Sequence, residues 1–157
     1  MNSKSDWCIK IYFNGNTKEK NEMFKVMEER TIKKKKIGIG YCDSQPIYQL
    51  RNNKLIMTDI EGNTNHKKVF ENFINNIEIG DRIYLCRGAN QILYSAIIDS
   101  DYIFDNSDYE KGGTQDINQI KNGWFWRHLR KIKNIEKVNL TTSVDMRQTI
   151  HRRIINT

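Results

Sequence analysis

Hydrophobic and polar positions along this chain fall into short blocks, each with its own period. Trp7 to Phe13 (WCIKIYF) is rich in β-formers and stops at Asn14-Gly15-Asn16, so a first strand is predicted there. From Lys18 to Arg30 the spacing becomes helical: Met23, Val26, Met27 and Arg30 share a stripe, Thr17 can cap it, and the lysine run Lys33 to Lys36 closes it. Ile37-Gly38-Ile39-Gly40-Tyr41 alternates branched residues with glycines, the pattern of a buried strand that another backbone or a ligand approaches closely. Asp43-Ser44-Gln45-Pro46 ends that strand with the chain's only proline, and residues 47 to 66 carry no clear period.

A helix is predicted over His66 to Ile77, where Val69, Phe70, Phe73, Ile74 and Ile77 lie on one stripe. Glu78-Ile79-Gly80-Asp81 then turns the chain into Arg82 to Arg87, and Gly88-Ala89-Asn90 turns it again into Gln91 to Asp99, which predicts a hairpin. Asp105 to Asn122 is polar, contains Gly112-Gly113 and has little periodicity, the mark of a functional or mobile loop. Trp124 to Lys133 reads as a further strand, and Thr142 to Ile155 as a basic terminal helix with Val144, Ile150 and Ile154 as its apolar contacts. No internal repeat is visible. This order, in a chain of 157 residues, predicts one α+β domain over residues 1–157: a small mixed β-sheet or barrel flanked by helices.

Composition narrows the class. With 38% hydrophobic and 29% charged residues the chain is globular in character, and no apolar run approaches the roughly eighteen residues of a membrane span. The N-terminal MNSKSDWCIK lacks the apolar core of a signal peptide, so a cytoplasmic location with no membrane partner is expected. Cys8, Cys42 and Cys86 are odd in number and far apart, which fits reduced thiols and offers neither a zinc site nor a disulfide framework.

Charge is more informative. Residues 1 to 120 hold 17 Lys/Arg and 17 Asp/Glu, whereas residues 121 to 157 hold nine and two, so the whole net charge of +7 lies in the last quarter. That asymmetry suits a phosphate-binding face, and it also suits a solvated helix face. Nucleotide-binding loops of the GxxxxGK[ST] or GxGxxG type are absent, as is the HxE and PCxxC pattern of zinc deaminases. Asp99 and Asp101 lie at a strand end, but no ExK or DxK triplet follows them in strand context, which weighs against a nuclease core. No catalytic residue, metal or cofactor is expected.

Two of the three tryptophans lie in Gly123-Trp124-Phe125-Trp126-Arg127-His128-Leu129-Arg130-Lys131-Ile132-Lys133. If this is a strand, Trp124, Trp126 and His128 share one face and Phe125, Arg127 and Leu129 the other. Two readings stand. The rings form a stacking surface worth roughly 1–3 kcal/mol per base, with Arg and Lys on the phosphates, or they fill the core.

Several short motifs bear on that choice. Gly38-Ile39-Gly40-Tyr41, Ile79-Gly80-Asp81-Arg82-Ile83, the run Ala96-Ile97-Ile98-Asp99-Ser100-Asp101-Tyr102-Ile103-Phe104, His128-Leu129-Arg130-Lys131-Ile132, and Gln148-Thr149-Ile150-His151-Arg152-Arg153-Ile154 follow one another in order. Together, over roughly residues 7 to 155, they resemble the EVE-like modules of the PUA superfamily found in McrB-like and Mrr-like modification-dependent restriction systems. Two departures are plain: Tyr41 stands where those modules have tryptophan after the glycine, and Asn134 stands where they have tryptophan six places after the histidine.

The resemblance implies a PUA-like (EVE/YTH-like) small mixed β-barrel and a non-enzymatic module that recognises a modified, typically methylated, base flipped from duplex DNA. Flipping costs a few kcal/mol, which stacking, base-edge hydrogen bonds and backbone contacts must offset. It implies Tyr41, Trp124, Trp126, Trp7 and Cys42 as pocket lining, Asp43, Ser44 and Asp105 as partners for the base edge, and Arg87, Arg127, His128, Arg130, Lys131 and Lys133 along the backbone. It further implies a nuclease or motor on another segment or chain. An RNA reader of the same fold, a small nuclease or RNA-modifying enzyme, and a protein-interaction domain with an incidental basic face are the competing readings.

Overall fold

The computed structural model of the chain describes residues 6–10, 17–39, 48–51, 54–57, 64–87, 91–105, 107, 124, 126–141 and 150–152. Among the described residues, nine strands and two helices follow in order: β1 (Asp6–Lys10), α1 (Thr17–Lys34), β2 (Lys36–Ile39), β3 (Tyr48–Arg51), β4 (Lys54–Met57), α2 (Thr64–Glu71, continued by a π-turn over Asn72–Asn76), β5 (Arg82–Arg87), β6 (Gln91–Ile98), β7 (Ile103–Phe104), β8 (His128–Thr141) and β9 (Ile150–Arg152). The main sheet runs β2-β8-β6-β5-β1-β9, with β7 beside β8, and β3 and β4 pair separately. β1 is parallel to β5, while the other pairings are antiparallel. Among the described residues the path ends at β2 and β9, so the mixed sheet curls into a half-barrel.

Curl has a local cause in β8. Against β6 its register slips twice, between Ile92 and Tyr94 and between Ser95 and Ile97, and each slip places two residues of β8 opposite one of β6. Asn134 (φ 52°) and Asn139 (φ 46°) sit in these two bulges. A bulge sharpens twist, and asparagine tolerates a left-handed backbone better than most residues do. Bent in this way, one strand of 14 residues pairs with β6 over its C-terminal two-thirds and with β2 at its start. The departure at Asn134 therefore answers a backbone requirement that a tryptophan would meet only with strain.

β1, β5 and β6 are buried on both faces, as their near-continuous apolar runs require. Trp7, Ile9, Ile83, Leu85, Ala96 and Ile98 face the main core with Phe70 and Phe73 of α2 and its π-turn, while Cys8, Tyr84, Cys86 and Ile92 form a second cluster. The α2 stripe is seated as its periodicity predicts, with Val69, Phe70, Phe73, Ile74 and Ile77 all buried. Ile77 N–H reaches back five residues to Asn72 O at 2.9 Å.

Three expectations need correction. The C-terminal segment was predicted helical, yet Ile150–Arg152 is a strand antiparallel to β1, with Ile150 opposite Ile9 and almost fully buried; residues 142 to 149 and 153 to 155 lie outside the described residues. The strand predicted over Trp124 to Lys133 instead spans His128–Thr141. Helix α1 runs on through Lys34 rather than ending near Arg30; of the predicted stripe Met27 is buried and Val26 and Arg30 are half-buried, and Phe24 and Thr31 are buried as well.

Candidate nucleic-acid interface

Register on β8 decides which side chains can meet a ligand. His128, Arg130 and Ile132 project to the face covered by α2; Leu129, Lys131 and Lys133 project to the other. β2 follows suit, since Ile37 and Ile39 oppose Arg130 and His128, while Lys36 and Gly38 oppose Lys131 and Leu129. The second face thus carries Gly38 and Leu129 at one end and Lys36, Lys131 and Lys133 at the other.

Trp124 and Trp126 precede the strand and fold onto that second face. Their rings meet edge to face at 5.5 Å and 84°, and they cluster with Met27 and Leu129. Trp126 lies directly on Gly38, where a Cβ would come within 2.9 Å of its Cε3 and 2.8 Å of His128 O. The close approach read from the glycine pattern is therefore that of a ring and a neighbouring backbone. Trp124 is 1% exposed and Trp126 9%, so Trp124 is a core ring and Trp126 offers only an edge to solvent. The alternation that grouped both indoles with His128 fails because the strand begins only at His128.

The structure withdraws three of the expected ligand contacts. Trp7 is buried, and its indole N–H donates to Asp81 Oδ2 at 3.0 Å, which also accepts Glu78 N–H at 2.9 Å. That clasp is what the Gly80-Asp81 motif builds, with Gly80 at φ 92°. His128 is fully buried against Phe70, Tyr102 and Phe104, its Nδ1 hydrogen-bonded to the Tyr102 hydroxyl at 2.5 Å. Arg130 is 1% exposed and donates to Phe73 O (2.9 Å), Ile77 O (2.6 Å) and Ser100 O (3.1 and 2.9 Å). It caps the last carbonyls of the α2 segment from inside the core. Burial pushes its guanidinium down, to about 10, against the opposing pull of Asp101 and Asp81, so it stays charged at neutral pH.

Arg87 is also set apart. Its guanidinium lies over the Phe24 ring at 4.5 Å, and it pairs with Gln91, which pairs with Thr141, ten residues along β8 from Lys131. At about 3.3 Å per residue that is roughly 30 Å of strand. Tyr41, Cys42, Asp43 and Ser44 lie outside the described residues.

What the fold does bring together is Lys131, Lys133, Asp105 and the half-buried Arg127, beside Trp126. Lys131 is exposed on a pinned backbone: its N–H donates to Ser100 Oγ and its carbonyl accepts Asp99 N–H, both at 2.8 Å. Lys133 pairs with Asp99 at 3.4 Å. Asp105 donates its N–H to Arg127 O and accepts Ser107 N–H on Oδ1 at 2.8 Å. Hydrogen bonds from Ser107, with the charges of Lys36 and Lys131 behind them, hold its carboxyl below the usual carboxylate range. Sequence reasoning passed over Lys36; the available signal was a lysine run abutting a strand whose partner segment, RKIK, is itself basic.

Such an arrangement defines a mixed α+β half-barrel that presents an indole edge and several cations on one face. The sequence from residue 11 to 152 matches the family described as Domain of unknown function (DUF8426), and the chain belongs to that family. None of the curated proteins compared with the chain matches it. Among the described residues, no helix is long and apolar enough to cross a membrane and no cluster of His, Cys, Asp and Glu could hold a metal ion.

Proposed function

We propose that the chain is a DNA-binding module that recognises a modified base, as the specificity element of a cytoplasmic modification-dependent restriction system whose nuclease or motor lies on another segment or chain. The observation that carries this reading is the face that Trp126, packed on Gly38 and Leu129, shares with Lys131 and Lys133 further along β8. Lysines supply the salt-dependent grip on phosphates, and the indole edge supplies an apolar border against which an unstacked base can pack. The PUA-like motifs support the finer part, base flipping. In this reading the pocket is formed by Tyr41, Cys42, Asp43 and Ser44, which follow directly from β2, with Trp126 at its rim. Trp124 and Trp7 stay in the core, and Arg127, Lys131 and Lys133 touch the backbone.

Fluorescence anisotropy tests it with duplexes carrying one 5-methylcytosine, 5-hydroxymethylcytosine or N6-methyladenine, each beside its unmodified twin. One modified duplex should bind severalfold tighter than its twin, and Tyr41→Ala should remove that ratio while leaving duplex affinity largely intact. Equal binding to every twin pair would overturn modified-base recognition. Preference for single-stranded RNA would move the module to the RNA-reading alternative.

A further inference from the structure

The lysine run Lys33 to Lys36 closes α1, and part of it has an ordinary explanation. Lys33 and Lys34 occupy the last helical turn, where cations complement the negative end of the helix dipole. That does not account for the next two residues. Lys35 takes the left-handed turn after the helix, at φ 53°, a position that glycine fills most cheaply. Lys36 then enters β2 directly opposite Lys131. Like charges facing each other across a strand pair work against the sheet, and here both backbones are fixed, because Lys35 O accepts Ile132 N–H at 3.0 Å and Lys131 is held by Ser100 and Asp99. Lys33, Lys35, Lys131 and Lys133 are exposed, and Lys34 and Lys36 partly so. Asp99 pairs with Lys133, and the Asp105 carboxyl feels the charges of both Lys36 and Lys131.

We infer that Lys33, Lys35, Lys36, Lys131 and Lys133 form a docking ledge for the phosphate backbone of duplex DNA. The inference deepens the DNA-binding reading and rests on it for the choice of DNA among polyanions. The ledge joins two segments about a hundred residues apart in sequence through the β2–β8 register. Lysines two apart on a strand lie roughly 6.6 Å from one another, far enough for Lys131 and Lys133 to reach different phosphates of one strand. A phosphate beside Lys36 and Lys131 adds to the relief that the Asp105 carboxyl gives their mutual repulsion.

The test is the salt dependence of binding of the whole chain to an unmodified 20-base-pair DNA duplex. Each phosphate contact contributes about 0.9 to the slope of log K against log salt. Lys36→Gln with Lys131→Gln should therefore flatten that slope by about 2 and weaken binding at about 0.1 M salt by roughly eightfold per lysine. Lys33→Gln with Lys35→Gln should act alike, and Lys137→Gln, exposed further along β8, should leave the slope unchanged. An unchanged slope in both double variants, with unchanged melting, overturns the ledge. Tighter binding of an RNA duplex of equal length overturns the commitment to DNA.

The two proposals fail separately. If duplexes bind through these lysines with no preference for a modified base, the ledge stands and modified-base recognition falls. If the preference is present but the slope ignores the lysines, the reverse holds.

Discussion

Arg130 offers the sharpest test of whether the basic character of β8 is read correctly. Arg130→Met keeps a long side chain but strips four hydrogen bonds from Phe73 O, Ile77 O and Ser100 O. Each buried carbonyl left without a donor costs about 1–3 kcal/mol. Against that stands the relief of no longer burying a cation, visible in the lowered pKa of the guanidinium. With three carbonyls stranded and that relief set against them, the balance is roughly 3–5 kcal/mol, a large part of the 5–15 kcal/mol or so that holds a domain together. Melting should fall by roughly 6–20 °C in a chain of this size, and the urea midpoint should fall with it. Arg130→Lys should restore less than half, since one ammonium cannot serve carbonyls spread around a planar fork. Urea unfolding followed by tryptophan fluorescence measures the effect. A loss under about 1 kcal/mol, coupled to weaker DNA binding, would put Arg130 on the surface and refute the argument.

Two further outcomes probe the face beside it. Gly38→Ala would force a methyl within 2.8 Å of the immovable His128 O and 2.9 Å of the Trp126 ring; a loss of roughly 1–3 kcal/mol and an altered near-UV dichroism from the indole pair are expected, and an unchanged spectrum would show that the two do not touch. Cys8 and Cys86 are buried, and the hydrogen bond with Cys8, followed by burial, holds the Cys86 thiol above its usual range. In a Cys42→Ala chain, iodoacetamide at about pH 8, where a free thiol is partly ionised, should therefore label neither until urea unfolds the protein, and rapid labelling of the folded chain would contradict their placement.

Legibility from sequence followed the range of the interaction that fixes each element. The α2 stripe and the β5–β6 hairpin are local patterns, and both stand where the periodicity puts them. β9 is only three residues long and becomes a strand because β1 offers it an edge, a partner some 140 residues away that no local period announces. β8 was read too short for the same reason: beyond Lys133 it continues as Asn-Ile-Glu-Lys-Val-Asn, a weak strand sequence held by pairing with β6. Of the candidate site, Lys131, Lys133, Arg127 and Asp105 fall together, whereas Trp7, His128 and Arg130 are drawn inward by partners from Asp81, Tyr102 and Ser100.

The fate of the Trp124 to Lys133 segment turns on where its strand begins. Had the strand begun at Trp124, its alternation would have set both indoles beside His128 and left Lys131 and Lys133 with Phe125. Because pairing with β2 starts at Ile39 and His128, the indoles instead fold across Gly38 and Leu129, onto the face that the lysines share. Gly38 makes this possible, since any side chain there would lift Trp126 off the strand. A glycine that in isolation suggests only a gap thereby places an aromatic edge and a row of cations on one face of the sheet, and the proposal of a nucleic-acid partner rests on that shared face rather than on the number of lysines.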